Sequence, residues 1–287
     1  MSSNVQLTRF ATPDDLVQQL KTLPPSPKVL LKLQQMIDCE SSSVADLVAV
    51  IRVERALAAR IVRIANSPIY SLGSPCESIE ESVQRLGFSE VHRLALIVAG
   101  CESLSHPLPT YAINAQELWH ETIACAVAAE HLARLTGEDE RLAYTTGLMH
   151  SVGMIVVNSW VQSIAPGTVL AYETATEEWT QAERDFLGYD QADAGAALLR
   201  FWNFPAAVVE AVRCQYACQC ATSHPRLAAI LAAARWLRTL VAAPAGVLIP
   251  PPEKLLLLTL NLSEQQLRDC TPEVDSLIQD ARQILGV

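Results

Sequence analysis

Residues 53–70 read VERALAARIVRIANSPIY, and this stretch settles the structural class of the chain. At 100° per residue Val53, Leu57, Ile61 and Ile64 fall within an arc of about 80°, the stripe of a helix that packs by one face. Arg52, Arg55, Arg60 and Arg63 are read as the opposite, cationic side. Asn66-Ser67-Pro68 then stops the helix: Asn tolerates the left-handed conformation, Ser bonds back to local backbone, and Pro cannot continue the helical ladder. Tyr70 and Leu72 are expected to anchor the following loop on the core.

The same grammar runs through the rest of the 287 residues. Half the chain is hydrophobic and aromatics make up only 6%, with Ala and Leu frequent and no alternating β-branched runs, so good helix formers dominate. Thr12-Pro13 and Ser26-Pro27 each place a capping residue before a proline at the first helical position. Ser78 to Glu81 and Thr180 to Glu183 have the capping-box spacing, and Gly87, Gly137, Gly188 and Gly286 fit C-terminal stops. These signals predict helices at 13–22, 27–38, 43–51, 54–65, 79–86, 89–103, 115–136, 139–150, 152–163, 180–187, 191–202, 205–218, 224–241, 252–260, 263–269 and 272–285. Prolines at 107 and 109 break the pattern and mark a lobe boundary. A second break, Ala243-Pro244-Ala245-Gly246 followed by Pro250-Pro251-Pro252, makes 252–287 a small helical tail.

Charge narrows the partners. Lys plus Arg total 21 against 31 Asp plus Glu, a balance of −10. Residues 1–108 carry 10 basic and 11 acidic side chains, and 109–287 carry 11 and 20, so the acid excess lies in the second part. Its field repels polyanions, and nucleic acid is not expected as a partner. Charged residues interrupt every apolar run before membrane-spanning length, and the first residues lack a secretory pattern, so no membrane and a cytoplasmic location are expected. The eight cysteines, at 39, 76, 101, 125, 214, 218, 220 and 270, are then expected as reduced, buried thiols. Cys214, Cys218, Cys220 and His224 form the one grouping with a hint of a metal. With Cys214 and Cys218 read one turn apart on the 205–218 helix, they lack the tight-turn spacing of zinc ligands and are taken as ordinary thiols.

Three segments carry a family resemblance: Leu23-Pro24-Pro25-Ser26-Pro27, Ala65-Asn66-Ser67-Pro68-Ile69-Tyr70, and Ile79-Glu80-Glu81-Ser82-Val83-Gln84-Arg85-Leu86-Gly87. In this order and spacing they resemble the HDOD family, bacterial signalling modules related to HD-domain hydrolases. The likeness runs from about residue 16 to about 218. It implies an all-α fold in which an N-terminal helical lobe (13–108) packs on a degenerate HD-like helical lobe (110–218), followed by a C-terminal helical extension (219–287).

The resemblance also locates the place where catalytic HD relatives bind one or two divalent ions. A His-Asp pair is replaced by His150-Ser151 inside Gly147-Leu148-Met149-His150-Ser151-Val152-Gly153. The upstream Trp-x-His-Ser motif aligns with Trp119-His120-Glu121-Thr122, so Glu121 takes the ligand position. Downstream histidine positions fall on Gln191 and, after Cys214, on Gln215. A mononuclear site needs at least three protein ligands; His150 and Glu121 make two, and nothing in the sequence supports a third from Asp190, Asp193 or Glu210. The HD-GYP signature is absent, with Gly188-Tyr189-Asp190 a partial echo. A two-metal centre gathers four positive charges that carboxylates must offset, and a neutral serine cannot replace a bridging aspartate. The expectation is therefore no metal, no cofactor and no enzyme activity, with Glu121, His150, Ser151, Gln191 and Gln215 as remnants. His150 is expected as a buried, hydrogen-bonded imidazole and Ser151 as a helix cap.

What the resemblance implies is a non-catalytic scaffold that meets other signalling proteins in a bacterial pathway, with a cyclic dinucleotide link through that pathway. The alternatives are a degenerate metal-dependent phosphohydrolase and a sensor of nucleotides or cyclic dinucleotides. Arg52, Arg55, Arg60, Arg63, Asn66, Ser67 and Tyr70 are the candidate interaction or anion site.

Overall fold

The structure is a computed structural model that describes residues 12–19, 32–33, 35–36, 43–53, 55–70, 74–104, 107–170, 178–244 and 246–285. Its described residues form helices and connecting turns, with no strand beyond a single antiparallel bridge between Leu108 and Ile113. In chain order the helices are α1 (Pro13–Gln19), α2 (Val44–Arg52), α3 (Arg55–Ala65), α4 (Ile79–Leu86), α5 (Phe88–Leu104), α6 (Ala115–Thr136), α7 (Glu140–Met149), α8 (Val152–Ile164), α9 (Glu178–Leu187), α10 (Gln191–Phe201), α11 (Ala206–Arg213), α12 (Pro225–Ala242), α13 (Lys254–Leu260), α14 (Glu264–Asp269) and α15 (Thr271–Leu285). Most predicted helices are met to within two residues. The caps at Ser26-Pro27 and Gly286, together with Leu72, Cys39 and the side chains of Arg55 and Cys101, fall outside the described residues.

Helices α2 to α5 pack on one another. Leu57, Ile61 and Ile64 of α3 are buried there, as the stripe predicts. Val53 is not: it sits past the end of α2 and is 65% exposed. The stop after α3 also works differently from the expectation. Asn66 is not among the left-handed residues; its amide clasps Cys76 instead, donating to the Cys76 carbonyl at 2.8 Å and accepting the Cys76 N–H at 2.7 Å. This imitates a β-ladder pair and closes the 66–76 loop across its neck.

The second group of helices is built around α6. Asn114 and Glu117 form a capping box at its start, and Gly137 ends it in the left-handed conformation. Its middle, Ala124 to Ala129, is buried throughout. Small residues set how close its neighbours come. A methyl on Gly147 of α7 would lie 2.6 Å from the Ala126 Cα, so α6 and α7 touch backbone to backbone. A methyl on Gly153 of α8 would lie 1.8 Å from the Gln191 carbonyl oxygen and 2.6 Å from the Gly195 nitrogen, which presses α8 onto the first turns of α10. Helix α1 joins this group, with Leu16 and Val17 buried, contacts to α10 and an ion pair between Asp14 and Arg200.

Helix α12 packs on α6, α7 and α11. Ala228, Ala229, Ile230, Leu231, Ala233, Ala234 and Leu237 are fully buried there, so these residues complete the core around α6. Helices α13 to α15 cover its outer side.

Two local expectations are corrected. The predicted 205–218 helix stops at Arg213, where a disulfide from Cys214 to Cys220 takes over the chain path. Thr180 to Glu183 is not a capping box, because α9 begins at Glu178 and Glu183 is buried with partners on other elements.

Gly153→Ala forces a methyl into backbone atoms that cannot rotate aside. It is expected to cost more than about 3 kcal/mol of unfolding free energy, at the upper edge of overpacking penalties. Urea denaturation measures this, and unchanged stability would mean that α8 and α10 do not meet at this glycine.

Candidate functional site

His150 ends α7 and Ser151 precedes α8, so the tight Gly147 and Gly153 contacts fix both residues in the interior. The His150 imidazole is 4% exposed. Its Nδ1–H donates to the Gly147 carbonyl at 2.7 Å, which leaves the Nε2 lone pair for an outside donor. That donor is Arg238, whose Nη1 lies 3.3 Å from Nε2. Burial, reinforced by the Arg238 and Arg235 guanidiniums, holds His150 well below its ordinary pKa, and the Gly147 hydrogen bond only partly opposes this. At neutral pH the ring is uncharged.

Arg238 also reaches Glu121, with Nη1 3.6 Å from Oε2. One turn away on α12, Arg235 donates to the Gln215 carbonyl at 2.7 Å and stacks over the Tyr216 ring, 4.0 Å from its centroid. Both arginines are buried. The Gln215 amide donates to the His150 carbonyl at 2.9 Å and to Val212 at 3.0 Å, while Gln191 donates to the Tyr216 hydroxyl. Ser151 makes no capping bond; its hydroxyl pairs with Thr122 at 3.0 Å. The five expected remnants therefore do converge, and two arginines from α12 join them.

Fitting a divalent cation to this set fails on donors and on charge. Among the described residues no three His, Cys, Asp or Glu side chains gather as metal ligands. Asp190 caps α10 through Ala192 and Asp193 and pairs with Arg184. Glu210 holds the backbone N–H groups of Thr222, Ser223 and His224 and the His224 ring, and these bonds outweigh burial to bring it down to about 2. The oxygens of Gln191 and Gln215 are buried without hydrogen-bond partners, and both are neutral. A dication placed about 3 Å from a guanidinium is opposed by on the order of 10 kcal/mol at an effective dielectric of roughly 20. The cysteine grouping dissolves as well: Cys214 is bonded to Cys220, and His224 faces Glu210 rather than sulfur. The expectation that these cysteines are reduced thiols is corrected for that pair, because the chain turns back after Arg213 and brings their Cα atoms to 5.7 Å. Cys76, Cys125, Cys218 and Cys270 are free and buried.

At Gln191 lies a buried carboxyl that sequence reasoning missed. Glu183 is fully buried, accepts from the Tyr111 hydroxyl and accepts the Gln191 N–H at 2.8 Å. Burial pushes it up to about 8 against those two hydrogen bonds, with Asp190 adding to the rise. Trp179 stands edge-on between Tyr111 and Tyr216 and closes this side.

The other candidate residues lie apart. Arg52 pairs with Glu80, Arg63 is exposed, and Arg60, two turns after Val53, falls beside the apolar stripe and is half-buried. The Ser67 hydroxyl is buried without a hydrogen-bond partner. Tyr70 donates to Glu90, which Arg93 holds at 2.6 Å, and Arg93 reaches Glu130 of α6 at 3.9 Å. Asn66 and Tyr70 therefore act as structural ties, the second one leading toward α6.

An all-helical chain with an HD-like histidine at the junction of two tightly packed helices defines an HD-related domain. The HDOD domain model matches residues 23–218, and the chain belongs to that family. Among solved structures it is similar to a candidate signal transduction protein from Marinobacter aquaeolei VT8 (22% identity, TM-score 0.76, 99% of this chain and 68% of that one). It is also similar to an HDOD domain protein with unknown function from Geobacter sulfurreducens (19%, 0.72, 95% and 98%). A candidate phosphohydrolase from Shewanella amazonensis SB2B shares the fold too (21%, 0.68, 96% and 98%). An uncharacterized protein of Treponema pallidum (strain Nichols) is 26% identical over 221 residues, which span 72% of this chain and 40% of that protein. No helix among the described residues is long and apolar enough to cross a membrane. Arg235 and Arg238 lie beyond the matched residues, and spacing alone gave no signal for them; their place within the Ala-rich run of 225–242 was the available hint.

Glu183 gives a pH test. Its folded pKa is raised, so the stability it contributes is complete below its unfolded value and is lost as pH rises through about 8. His150 acts in the opposite sense and only below its unfolded value of 6.5, and the buried thiols act only as pH nears their unfolded value of 9, so the window from about pH 7 to 8 isolates the carboxyl. Unfolding free energy is expected to fall across that window. Glu183→Gln, with its amide oxygen turned to the Gln191 N–H, is expected to flatten the fall; an unchanged slope would contradict the assignment.

Proposed function

We propose that this chain is a non-catalytic, metal-free signalling scaffold that acts through protein–protein contact in a bacterial regulatory pathway. The observation that carries the reading is the hydrogen bond from Arg238 to His150 Nε2, the atom a metal would need. A guanidinium supplies the positive charge that a cation supplies in an active HD site, but it has no coordination position to offer a water or a phosphate ester. The retained geometry then serves to hold α6, α7, α8, α10 and α12 together.

The surface supports docking better than chemistry. The cavity between α5 and α6–α7, about 460 Å³, is lined mainly by charged groups including Glu90, Arg93, Glu130 and Arg134. Exposed apolar side chains lie elsewhere and include Val247, Leu248, Leu255 and Leu258, with Leu248 94% exposed. Such residues suit the centre of a contact with another protein, rimmed by polar groups that set partner choice. The similarity to a candidate signal transduction protein agrees with a pathway role.

The test is elemental analysis of protein purified without chelator, followed by calorimetry with Mn²⁺, Zn²⁺ and cyclic dinucleotides. Iron, manganese and zinc are expected well below one ion per chain, with no binding heat for any ligand. The double variant Ser151→Asp with Glu121→His is expected to remain metal-free, because Arg238 still caps His150 and Gln191 and Gln215 stay neutral. A stoichiometric ion that is lost in His150→Ala would overturn the reading in favour of a phosphohydrolase site; heat from a cyclic dinucleotide would favour a sensor.

A further inference from the structure

Three cysteines fall within seven residues at the point where α11 ends, and the arginine-filled pocket beside His150 rests in part on the residues between them. Cys214 and Cys220 are joined, and Cys218 between them is free. The bridged segment carries Gln215, which bonds the His150 carbonyl and receives Arg235, and Tyr216, which lies under Arg235, receives Gln191 and meets Trp179 edge-on with ring centroids 5.6 Å apart. The Gln215 carbonyl and the Tyr216 ring that hold Arg235 therefore both come from a loop whose two ends are tied by one covalent bond.

We propose that Cys214 and Cys220 form a thiol–disulfide switch, opened by a dithiol reductant, that sets how firmly the Gln215–Tyr216 segment holds the arginine-filled pocket. A bridge over so short an interval restricts the unfolded chain less than a long-range bridge does, so its chief effect is local. The two sulfurs are unequal: Cys214 is fully buried and Cys220 is half-buried, which makes Cys220 the accessible end. Cys218 is a poor competitor. Its thiol points at Glu253, 3.9 Å away, and burial followed by that carboxylate raises its pKa, so little thiolate forms. Cys125 and Cys270 are likewise buried with raised pKa values and stay out of exchange.

The step balances as a two-electron exchange. A thiolate of the reductant attacks Cys220 Sγ, and the S–S bond breaks with its electron pair going to Cys214 Sγ, which takes a proton. The second thiolate of the reductant then displaces Cys220 Sγ, which is also protonated, and the reductant leaves as its own disulfide. Freed of the bridge, the turn after Arg213 loses the tie that folds it back, and Gln215 and Tyr216 are held by hydrogen bonds and stacking alone.

The full chain, oxidised in air and then treated with dithiothreitol, provides the test. Peptide mapping after alkylation is expected to show one linkage, Cys214 to Cys220, replaced by two alkylated thiols on reduction. Reduction is expected to change tryptophan emission, because Trp179 rests on Tyr216, and to lower the thermal midpoint by about 2–4 °C. Cys220→Ala is expected to resemble the reduced protein and to ignore the reductant, whereas Cys218→Ser responds as the parent does. Cys214→Ser repeats the test at the buried end. A linkage through Cys218, the absence of any linkage after oxidation, or emission and midpoint that do not move on reduction would overturn the proposal.

Discussion

The rest of the second helical group depends on where the positive charge of the pocket resides, and it resides on Arg235 and Arg238, with Arg238 on the imidazole itself. An imidazole whose Nδ1–H is committed to Gly147 offers one lone pair, and that pair is taken by a guanidinium rather than left for an ion. Glu121 lies on the same guanidinium and offsets its charge. Burying an arginine is costly unless it is paired and hydrogen-bonded, and Glu121 and His150 serve as partners for it. Ser151, Gln191 and Gln215 around it are neutral and are committed to hydroxyl and backbone partners, so none of them competes for that charge.

This arrangement needs close backbone packing on one side and α12 on the other. Gly147 and Gly153 bring α6, α7, α8 and α10 near enough for His150 and Ser151 to be sealed from water, while Arg235 and Arg238 close the pocket from residues that follow the family match. The pocket is thus a joint product of the HDOD segment and of what comes after it. The disulfide at 214–220 sits at that junction, between α11 and α12, where a change of covalent state reaches both.

Sequence periodicity carried the helices well because α6, α12 and their neighbours pair strong helix formers with clear caps such as Gly137 and Ser78. It failed where a side chain's partner was distant in sequence. Glu183 reads as the last residue of a capping box, yet its partners are Tyr111 and Gln191. Asn66 reads as a left-handed stop, yet it clasps Cys76. The cysteine cluster reads as one turn of helix, and only the break at Arg213 brings Cys214 to Cys220. For the site, the resemblance placed Glu121, His150, Ser151, Gln191 and Gln215 in one region. Nothing local in 225–242 announces that two of its arginines point inward, because that depends on how α12 crosses α6.

The most direct measurement is the tautomer and charge of His150 by nitrogen-15 NMR of the imidazole. A neutral ring protonated at Nδ1, with Nε2 unprotonated and accepting a hydrogen bond, is expected at pH 6.5 and above, since burial and two arginines hold its pKa well down. Arg238→Met should shift the Nε2 resonance and leave Nδ1 bonded to Gly147. A ring protonated at Nε2, an imidazolium at pH 6.5, or an Nε2 signal displaced by a bound metal would contradict this.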